Sequence, residues 1–152
     1  HAGGVPMLLE RQSVPVIGPH PDDQFLLDAL PETTAAYGFP ICPAFTPTRW
    51  LHEGDTLNVG NFTFNVLHIA GHTPGHVVFY CAAANLLIAG DVLFYESIGR
   101  TDFPRGNHQD LLDNIRHKLF RLPNDTLVIP GHARTTTIGH EKQFNPYVSE
   151  AA

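Results

Sequence analysis

The chain has 152 residues, 43% hydrophobic and 16% charged, which is enough apolar material for one packed core and excludes an intrinsically disordered chain. Nine Lys and Arg against fifteen Asp and Glu leave a net charge of −6. That balance argues against nucleic acid as a partner, because such a footprint needs a surplus of cations on one face. The longest apolar stretch, 77–89, is interrupted by Asn85 and falls short of the ~20 residues that span a bilayer, so no membrane partner is expected. Cys42 and Cys81 make neither a disulfide framework nor a metal-binding pair; small, buried and reduced, they suit the cytoplasm. Two oddities remain: ten His beside one Met and one Trp, and a start on His1-Ala2-Gly3-Gly4 instead of Met.

In chain order, residues 2–11 read as a helix carrying Met7, Leu8 and Leu9, and residues 14–17 as a short strand closed by Gly18-Pro19. Asp22 or Asp23 is expected to cap a helix bearing Phe25, Leu26 and Leu30 that stops at Pro31. Residues 31–50, rich in Pro and Thr, read as a long irregular connection. Beyond residue 55 the pattern turns to strands. Residues 55–59 and 62–69 flank a Gly60-Asn61 hairpin turn, with Phe62, Phe64 and Val66 on one face. Residues 77–80 and 86–89 give a second hairpin-like pair. Asn107 and Asp110 form a capping pair for a helix that places Leu111, Leu112, Ile115 and Leu119 on one side, with Pro123 beyond its end. A last strand at 127–129 precedes a tail helix near 138–144. This alternation points to a layered mixed α and β architecture, read as one domain over 1–152.

Three of the strands end alike. Ile69 runs into Ala70-Gly71-His72, Ile88 into Ala89-Gly90-Asp91, and Ile129 into Pro130-Gly131-His132. In each, a small residue and a glycine release the strand, and a metal-ligating side chain follows. If the strands share a sheet edge, two imidazoles and a carboxylate converge, a set suited to Zn²⁺, Fe or Mn²⁺. Read singly, each Gly-His or Gly-Asp is an ordinary turn; three in one context are not.

Taken together, Gly71-His72-Thr73-Pro74-Gly75-His76, Ala89-Gly90-Asp91, Ile98-Gly99-Arg100-Thr101-Asp102-Phe103-Pro104 and Ile129-Pro130-Gly131-His132 resemble the metallo-β-lactamase superfamily, and within it the short-form glyoxalase II-like hydroxyacylglutathione hydrolases. Trp50 to Asp55 and Glu141 to Pro146 resemble the same branch. The resemblance covers nearly the whole chain and implies a four-layer αββα sandwich with metals at one edge. The family pattern opens with His-x-His-x-Asp-His-x-Gly-Gly, whose last His matches His1 and whose Gly-Gly matches Gly3-Gly4. The other two His and the Asp have no counterpart here, so the domain is expected to be incomplete at its N-terminus, to lack strands of the first sheet, to expose apolar surface and to bind metal poorly. Residue by residue, the resemblance implies His72 on a first metal, His1 and His132 on a second, and Asp91 bridging the two. Two Zn²⁺ per complete domain are implied, with Fe or Mn as substitutes.

The activity implied is hydrolysis of a small-molecule thioester, S-lactoylglutathione as the type substrate, by a metal-bridging hydroxide, with Asp91 the residue whose removal abolishes the dinuclear site. A monomer is expected. Two rival readings are a mononuclear iron persulfide dioxygenase, whose family shares a segment like Gly99–Phe103, and an inactive truncated fragment. The short tail after His132 leaves no room for the helical glutathione-binding domain of long-form relatives, so the substrate is open at the level of glutathione itself. Among the remaining histidines, His76 is expected to fix its loop, His68 to be a hydrogen-bonded core residue, and His108 and His117 to lie on the surface. His20, His52 and His140 lie beside turns and carry no claim. Arg100 and Asp102 read as an ion pair shaping the loop after Asp91. Arg105, Arg134 and Lys142 are cations that could meet an anionic substrate or simply be solvated.

Overall fold

Gly60 adopts a φ of 59°, a left-handed conformation that suits glycine, and with Asn61 it turns β1 (Thr56–Val59) into β2 (Phe62–His68) so that Val59 pairs with Phe62. This is the expected hairpin. In the computed structural model, which describes residues 1–150, the chain divides into two units, His1–Leu51 and His52–Ala152. The last two residues of the expected 1–152 domain lie outside the described residues.

The second unit is a six-stranded mixed sheet in the order β1-β2-β3-β4-β7-β8. β3 (Val77–Cys81) and β4 (Leu86–Gly90) form the second hairpin, and β7 (Leu127–Pro130) runs parallel to β4 with Leu87 opposite Val128. β8 (Thr136–Thr137) closes the edge, and β5 (Leu93–Phe94) with β6 (Ser97–Ile98) makes a separate two-stranded ribbon. A parallel pair requires a crossover, and the connection carries α4 (His108–His117). Asn107 caps it as expected, its side-chain oxygen accepting the Asp110 N–H at 3.0 Å. Leu111 and Ile115 of α4 are fully buried, and with Leu119 and with Ile138 of α5 (Ile138–Phe144) they pack on Val78, Leu87, Ala89 and Val128. The architecture is the expected mixed α/β one.

Phe62, Phe64 and Val66 do share a face, but the α4 core lies on the other. Leu67 pairs with Val78, and paired residues project to the same side, so it is Leu67 that joins the core cluster. On the opposite face Val66 is buried, while Ile88 and Ile129, paired across β4 and β7, stay partly exposed.

The first unit departs further from expectation. Ala2–Gly4 is a 3-10 turn leading into α1 (Val5–Arg11). The strand expected at 14–17 shrinks to a single bridge between Ile17 and Arg49, since no other strand of this unit runs alongside it. After a 3-10 turn at Pro21–Asp23, capped by the His20 ring accepting the Asp22 N–H at 3.1 Å, come α2 (Gln24–Asp28) and α3 (Leu30–Ala36). Pro31 therefore opens a helix instead of stopping one. At the first turn its missing N–H would have had no partner, and its φ is already helical. The irregular connection begins only after α3. Both cysteines are buried and outside any disulfide, and among the described residues no helix is long and apolar enough to cross a membrane.

The release of β2 depends on Gly71, whose φ is 140° and where a Cβ would come within 2.6 Å of the Leu111 backbone nitrogen. Gly71→Ala is expected to lower stability by on the order of 3 kcal/mol through strain plus overpacking. Gly60→Ala, where the space is open, should cost only about 1 kcal/mol. Thermal melting of the two variants checks this, and equal losses would contradict the role assigned to the Gly71–α4 contact.

Candidate metal centre

The three glycine-ended strands do converge. Helix α4 fixes the end of β2: the Asn107 N–H donates to the Gly71 carbonyl at 2.8 Å, and the Asn114 amide to the Ala70 carbonyl at 3.0 Å. Parallel pairing fixes the other two, because the Gly131 N–H donates to the Gly90 carbonyl at 2.7 Å. The next residues along, Asp91 and His132, then lie side by side. His72 Nε2 is 3.5 Å and His132 Nε2 3.4 Å from the same oxygen, Asp91 Oδ2. Asp91 is 8% exposed, whereas His132 is open to solvent, so the cluster is walled on the β4 side and accessible on the β7 side.

The tautomer of His72 decides what this arrangement can do. Its Nδ1 lies 2.7 Å from the Arg100 carbonyl oxygen, which can only accept, so Nδ1 carries a proton and donates it. In the neutral ring Nε2 then presents a lone pair to a carboxylate oxygen. Two acceptors facing each other at this distance repel unless a proton or a metal cation lies between or beside them. Neutral imidazole nitrogens oriented by a second hydrogen bond, together with a carboxylate, are the donor set of zinc and iron sites. The surroundings leave the room: a Cβ at Gly131 would overlap the Asp91 carboxylate, and one at Gly99 would overlap the Asp91 carbonyl. The residues present thus fit a divalent metal.

The loop after β6 wraps His72. Arg100 supplies the carbonyl, its guanidinium makes a two-pronged ion pair with Asp102 at 2.7 and 2.8 Å, and it also lies 4.3 Å over the Phe103 ring. Phe103 in turn meets the His72 ring edge-on at 5.4 Å. The Arg100 guanidinium holds the exposed Asp102 carboxyl below its ordinary pKa. The expected pair is therefore formed, and it stiffens the loop that orients a donor.

His76 accepts the Asp91 backbone N–H on Nε2 at 3.1 Å. That bond uses the nitrogen a metal would need, so the ring anchors Asp91's backbone, as its expected loop-fixing role requires. Its pKa is lowered to about 4, chiefly because its ring is stripped of water, with neighbouring His72 adding to the effect. His68 donates or accepts at 2.7 Å with the Pro74 carbonyl; since that oxygen only accepts, His68 Nε2 donates. His108 and His117 are exposed. Of the four residues expected to ligate metals, His72, Asp91 and His132 are brought together within the second unit. His1 is an exposed residue of the first.

Sequence reasoning overlooked the support behind this cluster. Glu141, fully buried, accepts the Glu96 N–H and the Asn145 amide on Oε1, at 2.7 and 3.0 Å, and the Thr136 hydroxyl on Oε2. One carboxylate thereby ties α5 to the β5–β6 turn, which follows Asp91, and to β8, which follows His132. The available signal was Ile138, Glu141 and Asn145 at core-facing helical spacing, two of them polar.

A family model described as the metallo-beta-lactamase superfamily matches residues 1–132. The chain is 43% identical over 150 residues to hydroxyacylglutathione hydrolase GloC of Haemophilus influenzae, covering 98% of this chain and 71% of that protein. Among solved structures it is similar to BLEG-1 B3 metallo-beta-lactamase, with TM-score 0.86, 39% identity, and coverage of 97% of this chain and 71% of that one. It is equally similar in fold to TTHA1623 in a di-iron-bound form, with TM-score 0.86, 37% identity and the same coverage. On the family match and the agreement in sequence and fold, the chain belongs to the metallo-beta-lactamase superfamily.

Proposed function

We propose that the chain acts as a metal-dependent thioester hydrolase of the hydroxyacylglutathione type, converting S-lactoylglutathione and water to glutathione and lactate. The observation that carries the reading is the pair of imidazole nitrogens on one carboxylate oxygen, with the His72 Nδ1 proton already committed to Arg100. The name of the Haemophilus relative supports the substrate class. In this reading His72 would hold a first metal, the family pattern would add His1 to His132 for a second, and Asp91 would serve both. Zn²⁺ is the metal we favour, and iron is the substitute that the di-iron form of TTHA1623 recommends. When bound, such a pair supplies an activated water and polarises the carbonyl under attack.

The protein's own part is positional. Asp91 presents one oxygen to both imidazoles while His76 anchors its backbone, so the carboxylate does not have to reorganise during the reaction. The Arg100 carbonyl keeps the His72 lone pair aimed at the cluster, and Phe103 against that ring excludes water from its outer side. The open side at His132 admits a small substrate. A thiolate leaving group needs no strong acid to depart. We place this chemistry in the cytoplasm, on a monomer. The alternative reading, a mononuclear iron persulfide dioxygenase, draws on the Gly99–Phe103 segment that wraps His72.

Metal-loaded protein is expected to release thiol from S-lactoylglutathione. Asp91→Ala should bind Zn²⁺ at least tenfold more weakly and lose hydrolysis by a factor of about 100 or more. One iron per chain with oxygen uptake on a glutathione persulfide would sink the hydrolase reading. So would opening of a chromogenic cephalosporin with no attack on the thioester. Gly131→Ala, whose Cβ would press on the Asp91 carboxylate, should lower stability by about 1–3 kcal/mol and weaken Zn²⁺ binding, read by competition with a chelator. Unchanged affinity would show that the Gly131 clearance is not what admits the metal.

A further inference from the structure

A second pair of contacts joins the same two segments that build the open side of the cluster. Phe94 meets the His132 ring edge-on at 5.8 Å, and one residue further the Arg134 guanidinium lies 4.0 Å over the Tyr95 ring. Two steps along the chain keep the Cα atoms of His132 and Arg134 within about 7.6 Å, so Arg134 stands on the segment that forms the exposed side of the centre. Tyr95 does not drift: its ring stacks on His140 at 5.0 Å, and His140 packs against Phe144 at 4.9 Å. His140 Nε2 also lies 3.0 Å from Glu96 Oε1, and the Glu96 N–H is held by buried Glu141. The turn that presents Tyr95 is thus anchored from beneath.

Arg134 is itself exposed, and it is paired with no carboxylate among the described residues. Three other cations of this unit are committed: Arg100 to Asp102, Lys118 to Glu53 and the His68 carbonyl, Lys142 to the Asn124 side chain. A guanidinium laid on an aromatic face keeps its edge donors free for a planar, two-oxygen acceptor. Holding it in one geometry beforehand lowers the entropic cost of the bond.

We propose that Arg134, held on Tyr95, is the specificity-determining residue that binds a carboxylate of the substrate beside the His132 end of the centre. The substrates selected are thioesters whose thiol portion carries a free carboxylate. This rests on the hydrolase reading above and assigns to one residue the recognition of the anionic thiol portion of its substrate.

The test is calorimetric titration of S-methylglutathione, which cannot be hydrolysed, and of its dimethyl ester into wild type, Arg134→Gln and Arg134→Lys. Wild type should prefer the free acid by about tenfold, the scale of one charge-assisted, two-pronged hydrogen bond. Arg134→Gln should lose that preference, and Arg134→Lys should keep part of it, since a point charge remains without the fork. In turnover of S-lactoylglutathione the loss should fall in KM rather than kcat. Equal affinity for acid and ester in wild type, a preference untouched by Arg134→Gln, or no binding of the acid to wild type at millimolar concentration would each overturn the proposal. Acid preference that vanishes in Arg134→Gln, found in a protein that does not hydrolyse thioesters, would sustain the anion site and refute the hydrolase reading.

Discussion

The hydrogen bond from the Gly131 N–H to the Gly90 carbonyl, at 2.7 Å, closes the ends of two parallel strands, and the rest of the centre depends on it. Parallel neighbours deliver their next residues to the same edge, and across the register shift between Ile88 and Gly90 the Asp91 and His132 side chains still arrive together. The approach tolerates no side chain at Gly131, because the space a Cβ would take belongs to the Asp91 carboxylate. The third candidate donor, His72, comes from an antiparallel strand two places across, and it is α4 that brings it into line by bonding to Ala70 and Gly71. Backbone pairing and one helix cap therefore carry most of the precision of the cluster.

Much of this was written in the sequence in local terms. A glycine that must turn, an Asn that must cap and an alternation that must face two ways are decisions made within a few residues, and the two hairpins, α4, α5 and the three strand ends followed from them. What local rules cannot show is which face a strand buries. Phe62, Phe64 and Val66 share a face of which only Val66 is buried, while Leu67, turned the other way by its register with Val78, packs on the α4 core. Pro31 misled for a related reason. A proline marks a helix boundary without saying which side the helix lies on, and here it lies after.

The elements that escaped sequence reasoning are those held by distant partners. β5, β6 and β8 have two residues each, too few for any periodicity, and the turn joining β5 to β6 carries Glu96 at a φ of 52°, a conformation that a non-glycine residue keeps only when its surroundings hold it. Glu141 provides that hold from 45 residues away. The candidate donors were legible because each follows a strand directly; their supports, Glu141, Tyr95 and the Arg100 carbonyl, were not, since they act through contacts that no short pattern encodes. The resemblance to a metallo-β-lactamase pattern extended the reading to His1, a residue of the first unit, and the chain's similarity to a hydroxyacylglutathione hydrolase over 71% of that protein's length agrees with the branch inferred from the motifs.

The central claim is that two acceptors face each other at Asp91 because a metal belongs there. Anomalous diffraction at the zinc edge, from crystals grown with Zn²⁺, tests it most directly. The account predicts a peak about 2.0–2.2 Å from an Asp91 carboxylate oxygen and from Nε2 of His72 or His132, with His72 Nδ1 still bonded to the Arg100 carbonyl. Absence of any peak against Asp91, with the imidazoles bonded to its carboxylate through protons instead, would contradict it.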